Sequence, residues 1–329
     1  MKFGLLVGLL VGLVAVLFCV SLGVGPAGLD PVTAFLGLIG IGNRAAELVM
    51  QEIRLPRALL AILVGATLGL SGAVLQGYLR NPLADPGVLG IGASASLGAV
   101  LAIYTGLAAL FPLALPLAAI GGALIAVSAL LLLAGRHATP LMLILAGIAI
   151  SSLATAFTSL ALNLSPNPFA ALEIVFWMLG SLTDRSMLHV WLSAPFIVLG
   201  CVLLFSLGRS LDALSLGPDV AASMGIRPDR VRLVAVLGTT SAVGAATAVS
   251  GTIGFVGLVV PHLLRPLVGS QPSRLLPVSA LGGAAAVQAA DIAVRVIAPG
   301  RDLKLGVLTA IVGAPFFLWL ILEQRRRLV

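Results

Sequence analysis

The sequence predicts an all-α, polytopic membrane protein of about ten transmembrane helices in a single domain spanning 1–329, and three observations carry that expectation. First, 60% of the residues are hydrophobic and only 9% are charged, with a mean hydropathy of +1.16. So few charges cannot make the surface of a soluble domain of this length. Second, apolar runs long enough to cross a bilayer recur from one end of the chain to the other. Third, the basic residues between those runs are unevenly shared between alternate connections, as membrane insertion requires.

The first run, 4–24, follows a lone Lys2. It is too long for the apolar region of a signal peptide and no small-x-small cleavage site follows, so it reads as the first span. Nine more are expected at about 56–78, 88–110, 113–134, 141–162, 188–207, 231–250, 252–268, 275–297 and 305–323. The 252–268 run is the least regular, because Pro261 and His262 interrupt it. The run 169–180 is too short to cross and contains Glu173, so it reads as an external helix dipping into the interface. With the N-terminus inside, twelve of the nineteen basic residues are cytoplasmic: Lys2, Arg80, Arg136, the four arginines of 208–232, Arg265, Arg274 and the tail Arg325, Arg326 and Arg327. Arg44, Arg54, Arg57, Arg185, Arg295, Arg301 and Lys304 are then external. Both termini are expected in the cytoplasm, since letting 169–180 cross would put the basic tail and the 208–232 loop outside. The basic residues come singly or in pairs without interleaved aromatics, so the net charge of +7 is not a nucleic-acid footprint.

The polar segment 208–232 is punctuated like two short helices. Ser210 or Asp212 can cap a helix over 213–216, Gly217 can end it, Pro218 can open a second and Gly225 can close that one. Leu211, Leu214, Leu216, Val220, Ala221 and Met224 are too many apolar residues for so short an element to bury. Helix-in-groove contact with a partner and a connector lying on the lipid surface both fit the spacing.

The chain also repeats itself. Gly65, Ala66, Ser71, Gly72, Pro82 and Gly90 match Gly244, Ala245, Ser250, Gly251, Pro261 and Gly269 at one offset of 179 residues. Five spans fill that offset, so approximate repeats over 1–165 and 185–329 would be inverted, as in many transporters; chance matching in a glycine-rich chain is the competing reading.

Several local patterns carry no chemistry. Gly90, Gly92 and Ala95 fit G-x-G-x-x-A but open a transmembrane run with no βαβ context, and the Gly65/Gly69 and Gly4/Gly8/Gly12 spacings indicate helix packing, with the first pair the better candidate. Lys2 and Lys304 are the only lysines and neither follows a phosphate-binding glycine loop, so any ATP is hydrolysed elsewhere. His137, His189 and His262 are far apart, and Cys19 and Cys201 sit in apolar runs as packing residues, so no metal ligand set is expected. Asp291 lies within the ninth span, where Arg295 one turn later can pair with it, and Arg54, Arg57 and Arg295 would form an external basic rim. Ordinary snorkelling anchors are the alternative for that rim.

At this point the motifs carry a resemblance. Ile53-Arg54-Leu55-Pro56-Arg57, Ser71-Gly72-Ala73, Arg80-Asn81-Pro82-Leu83-Ala84, Gly254-Phe255-Val256-Gly257-Leu258 with Pro261-His262, and Gly313-Ala314-Pro315-Phe316-Phe317 resemble the FecCD family of permeases over nearly the whole chain. These are membrane subunits of ABC importers for ferric siderophores, haem and cobalamin. The resemblance implies a BtuC-like (type II importer) fold in the bacterial inner membrane and a partnership with a second copy of the chain. It also implies two copies of a cytoplasmic ATPase that carry the ATP and Mg, a periplasmic binding protein, and no cofactor on this chain.

By that resemblance 211–226 forms the coupling helices, through Leu211, Asp212, Leu214, Leu216, Gly217, Ala221, Met224 and Gly225. Arg54, Arg57 and Arg295 would dock the binding protein, Ala138, Thr139 and Pro140 would form the cytoplasmic gate, and Asn81, Pro82, Pro261, His262 and Asp291 would be structural. The usual Glu-Leu-Pro-Val-Gly before the last span reads Asp302-Leu303-Lys304-Leu305-Gly306 here. Alternating access powered in trans is the implied mechanism. An ion-coupled secondary transporter using Asp291 and an intramembrane enzyme are the competing classes, the second opposed by the lack of any paired acid, histidine or nucleophile constellation. Cargo is open between iron chelates, haem and cobalamin, with Trp177-Met178-Leu179-Gly180-Ser181-Leu182 resembling iron-chelate permeases.

Overall fold

The computed structural model describes every residue except 1, 26, 42, 112, 136–138, 166, 299–301 and 329, and side chains up to 323. The described residues form helices and turns without a strand. In chain order the helices are α1 Phe3–Gly23, α2 Pro31–Leu38, α3 Arg44–Leu48, α4 Leu55–Leu79, α5 Ile91–Tyr104, α6 Ala114–Ala134, α7 Pro140–Asn163, α8 Pro168–Met178, α9 Met187–Phe205, α10 Gly208–Ser215, α11 Pro218–Ser223, α12 Pro228–Ser250, α13 Val256–Leu264, α14 Pro272–Ile297 and α15 Leu305–Leu328. Proline opens α2, α7, α8, α11, α12 and α14, because its fixed φ suits the first turn and its missing N–H is not needed there.

Among the described residues, eight helices are long and apolar enough to cross a membrane, α3 and α4 counting as one through a π-helical turn, Val49–Arg54, and α9 running on into α10. The other two expected spans are shorter than the sequence suggested. The 88–110 run is helical over Ile91–Tyr104 behind a 3-10 turn, Pro86–Leu89, and 252–268 is α13 followed by a second 3-10 turn, Arg265–Val268. Each short helix follows a non-helical stretch in which a residue has positive φ: Arg80 and Gly90 before α5, and Gly251 and Phe255 before α13. As expected, 169–180 is a short helix, α8, and its Trp177 and Ile174 are buried.

The centre of the molecule is α4 and α12, whose most apolar windows are each 78% buried against 11% for α1 and 17% for α15. α4 lies on α14 and α13, while α12 lies on α9, α6 and α5. The α4/α14 contact is backbone against backbone. A Cβ on Gly65 would stand 2.3 Å from Gly283 O, one on Gly69 2.0 Å from Ser279 O, and one on Gly72 1.9 Å from Gly257 O of α13. Gly4, Gly8 and Gly12 face nothing within 4 Å, so that second spacing is not a helix contact within the chain. Cys19 is likewise exposed on α1 rather than packed, and Cys201 is half-buried.

Several of the residues matched at the offset of 179 land in different local structures. Ser71-Gly72 is inside α4 whereas Ser250-Gly251 ends α12; Pro82 lies in a turn whereas Pro261 lies inside α13; Gly90 precedes α5 whereas Gly269 follows the turn after α13.

Candidate coupling surface and ion cluster

The 208–232 segment folds as two short helices at one end of the bundle, with boundaries shifted from the sequence reading. α10 begins at Gly208 and has no side-chain cap, whereas Asp212 points away from it and accepts from Ser273 N at 2.8 Å, satisfying an orphan donor in the first turn of α14. Gln271 Nε2 donates to the other oxygen of Asp212 at 3.3 Å. Gly217 has φ +124° and precedes Pro218 at the start of α11, and Gly225, at φ +79°, follows its end.

The apolar residues of the segment divide into two sets. Leu211, Leu214 and Ala221 are buried within this chain, Leu211 lying over Gly77 of α4. They hold the segment to its own bundle, so these three of the expected coupling residues are covered by the chain itself rather than by a partner or lipid. Leu216, Val220 and Met224 remain 66%, 43% and 61% exposed. The Arg80 guanidinium, on a residue held at φ +50°, donates to Leu214 O and fastens the last turn of α10 to α4. In the sequence Arg80 is only a charge in a motif, and no spacing points to a carbonyl 134 residues away. α1 starts at this same end, where Arg274 of α14 lies over the Phe3 ring at 5.7 Å.

At the opposite ends of α1, α4 and α14 the expected basic rim is a buried cluster instead. Asp291 and Arg295 do pair, at 2.8 Å, but Arg57 reaches the same carboxylate, its Nη2 2.8 Å from Oδ1 and its Nε 2.9 Å away. Arg295 also donates to Ser21 O and Val24 O, each at 2.8 Å, and to Ser21 Oγ at 2.6 Å. Arg54, only 4% exposed, donates to Leu22 O at 2.8 Å and Gly23 O at 3.2 Å. The last carbonyls of α1 lack intrahelical donors and attract cations, so two guanidiniums are drawn inward to them. One carboxylate against three guanidiniums leaves this cluster formally +2.

The remaining expected positions are accounted for as follows. Ala138 lies outside the described residues, as do Arg136, His137 and Arg301, and so do the side chains of Arg325, Arg326 and Arg327. Thr139 Oγ1 accepts from Met142 N at 3.3 Å and Pro140 opens α7, so these two cap a helix start. Asn81 Oδ1 accepts from Leu83 N at 2.9 Å, closing the turn that holds Pro82. His262 meets the Phe316 ring edge-on at 5.9 Å, and Pro261 is buried inside α13. Gln76, not singled out in the sequence, donates to Gly257 O and Leu258 O at 3.3 Å and accepts from Arg265 Nη2 at 2.7 Å, tying α4 to both ends of α13. Where the resemblance led one to expect proline, Lys304 pairs with Asp302 and lies 5.2 Å over Phe176. The adjoining backbone stays in place through Gly306 N, which donates to Gly180 O at 3.2 Å.

The described residues thus form a bundle of apolar helices with an exposed apolar surface at one end and a buried ion cluster at the other. Residues 13–323 match the FecCD transport family, and the chain belongs to it. It is 40% identical over 297 residues to an uncharacterized ABC transporter permease protein, YvrB, of Bacillus subtilis, covering 89% of this chain and 84% of that one. It is 39% identical to the Fe(3+) dicitrate permease FecD of Escherichia coli (84% and 86% covered) and 39% identical to the vitamin B12 permease BtuC of Citrobacter koseri (85% and 84%). Its structure superposes on a metal-chelate type ABC transporter in an inward-facing conformation with a TM-score of 0.85 and 32% identity, over 96% of this chain and 98% of the other. The chain is therefore the permease of a metal-chelate or cobalamin type ABC importer, with ATP and Mg handled by the partner ATPase.

Proposed function

We propose that two copies of this chain form the membrane pathway of a bacterial inner-membrane importer for a ferric chelate, with haem and cobalamin as the alternative cargoes. The observation that carries the coupling half of this reading is the exposed triad Leu216, Val220 and Met224 on helices otherwise fastened to their own bundle. Such a surface takes the groove of a cytoplasmic ATPase. Motion of the ATPases then enters α10 and passes to α4 through Arg80 and Leu211 and to α14 through Asp212, tilting the two most tightly joined helices together. The 208–232 loop and both termini are cytoplasmic in this reading, and the binding protein docks at the opposite end, over the arginine cluster, with Arg57 the least buried of its three arginines. The gate at Ala138, Thr139 and Pro140 closes the cytoplasmic mouth.

Two inverted halves fit the packing, with α4, α5, α6 and α7 corresponding to α12, α13, α14 and α15. α4 lies on α13 and α14 as α12 lies on α5 and α6. A hollow of about 500 Å³ between α5, α6 and α7 has a counterpart of about 350 Å³ between α13, α14 and α15. Both are walled almost wholly by apolar side chains, which favours a cargo route between two copies rather than through one. Two guanidiniums already neutralise Asp291, which disfavours it as a driving-ion site.

The test is the importer reconstituted in liposomes with its ATPase and binding protein, offered a ferric siderophore, haem or cobalamin in turn. A ferric chelate should stimulate ATP hydrolysis and accumulate. Uptake that persists without nucleotide would overturn the ATP-driven reading.

A further inference from the structure

The two non-helical stretches meet around a cavity with polar groups in its wall that none of the roles above uses. The stretch after α4 turns back into the bundle. Asp85 Oδ2 stands 3.2 Å from where a Cβ on Gly257 would lie, and that same position is 3.0 Å from Leu68 O, eleven residues before the end of α4. At 1.5 Å per residue that is about 16 Å into the bundle. Asp85 thus sits at transmembrane depth, although its sequence position reads as a loop. The cavity, about 320 Å³, is lined by Asp85 and Gly87 from the first stretch, Thr252 and Gly254 from the second, and threonines of α7 and α12.

The chemistry of its wall is specific. Asp85 Oδ1 accepts from Gly87 N at 2.9 Å, holding the carboxylate in place, while Oδ2 has no hydrogen bond among the described residues. The hydroxyls of Thr155, Thr158 and Thr247 likewise make none there, although Thr158 and Thr247 are 3% and 6% exposed. No ion pair among the described residues reaches Asp85, whereas Asp291, in the cluster at the far end of α4, has two guanidiniums. A half-buried carboxylate at membrane depth without a counter-charge is costly, and idle hydroxyls beside it add to that cost. Free hard-oxygen ligands at the meeting point of two interrupted helices are the arrangement by which membrane transporters hold small cations.

We propose that this cavity binds a hydrated monovalent inorganic cation of sodium size, with Asp85 as its charged ligand and the hydroxyls of Thr155, Thr158 and Thr247 as neutral ones. The volume, roughly ten times that of one water, leaves the ion part of its hydration shell. The ion supplies the missing counter-charge and bridges α7 and α12 to the turn before α5, so it stabilises the contact between the two halves. Its binding requires neither cargo nor nucleotide.

The assay is the assembled importer in nanodiscs without cargo or nucleotide. Equilibrium binding of radioactive sodium is measured together with the unfolding temperature, as sodium chloride replaces N-methylglucamine chloride at constant ionic strength. Saturable binding of one ion per permease and a matching rise in unfolding temperature are expected. Asp85→Asn keeps an acceptor for Gly87 N but removes the charge, and should abolish both responses. Thr158→Val and Thr247→Val, nearly isosteric, should each weaken sodium about fivefold and keep the site testable if the Asp85 variant fails to assemble. Binding that does not saturate, or that is unchanged in all three variants, would overturn the assignment.

Discussion

The exposed triad on α10 and α11 makes a prediction that separates the two sets of apolar residues in this segment. Fully burying a Leu, Val or Met side chain is worth about 1.5–3 kcal/mol, and between 43% and 66% of Leu216, Val220 and Met224 is still open to water. Each can therefore gain about 1–1.5 kcal/mol on docking. Replacing all three by Ala should weaken the ATPase by about 3–4 kcal/mol, or roughly 10²–10³-fold in Kd. Leu211, at 1% exposure, behaves differently. Leu211→Ala opens a void over Gly77 and should cost about 2–5 kcal/mol of local stability, seen as a lower unfolding temperature of the isolated permease. Titration of the ATPase onto nanodisc-embedded permease, read beside thermal unfolding, distinguishes them: the triple variant should lose affinity with its unfolding temperature unchanged. ATPase affinity that survives in the triple variant would refute the assignment of that face.

Three further predictions follow from single contacts. Asp291→Asn strips the counter-charge from Arg57 and Arg295 together and should destabilise the permease by about 3–5 kcal/mol in thermal unfolding, while transport by the surviving protein still depends on ATP. Gly72→Ala drives a methyl to 1.9 Å from Gly257 O and should cost about 1–3 kcal/mol or more, whereas Gly8→Ala, facing nothing within 4 Å, should change stability by less than about 0.5 kcal/mol. Asp212→Ala removes the acceptor for Ser273 N at the start of α14, costing about 1 kcal/mol; ATPase binding should be kept and uptake per ATP hydrolysed should fall.

What could be read from the chain ahead of its structure follows the range of each interaction. Gly217, Pro218 and Gly225 act through their own backbone, and the two short helices appear where they indicate. Asp291 and Arg295 are one turn apart, and their pairing needed only helical geometry. Arg57 shares that carboxylate from 234 positions away, and no periodicity on α4 could have named its partner. The same distance problem hid the division of the coupling segment, because helices of eight and six residues are too short for their pattern to say which apolar side meets the parent bundle. The short α5 was legible in part: Asp85, Pro86, Gly87 and Gly90 are turn-forming residues at the head of a run judged only by its hydropathy. Asp85 itself was passed over because the same punctuation reads as a solvent-side loop.

The distribution of close contacts explains why motion at one end of this permease can be felt at the other. α4 and α14 touch through carbonyls seated against glycines at Gly65, Gly69 and Gly283, with no side chains between them to rotate or slide. In a bilayer, where lipid already satisfies apolar side chains, such contacts hold helices together by packing rather than by exclusion of water. α10 is fastened to the near ends of this pair by Arg80, at the end of α4, and by Ser273 N of α14, which donates to Asp212, and the far ends share the Arg57–Asp291 ion pair. Two helices joined at both ends and along their length tilt as a unit, whereas α15 has few contacts to resist movement and α1, largely unburied, packs mainly along α14. α1 follows all the same, because Arg54 and Arg295 grip its last carbonyls.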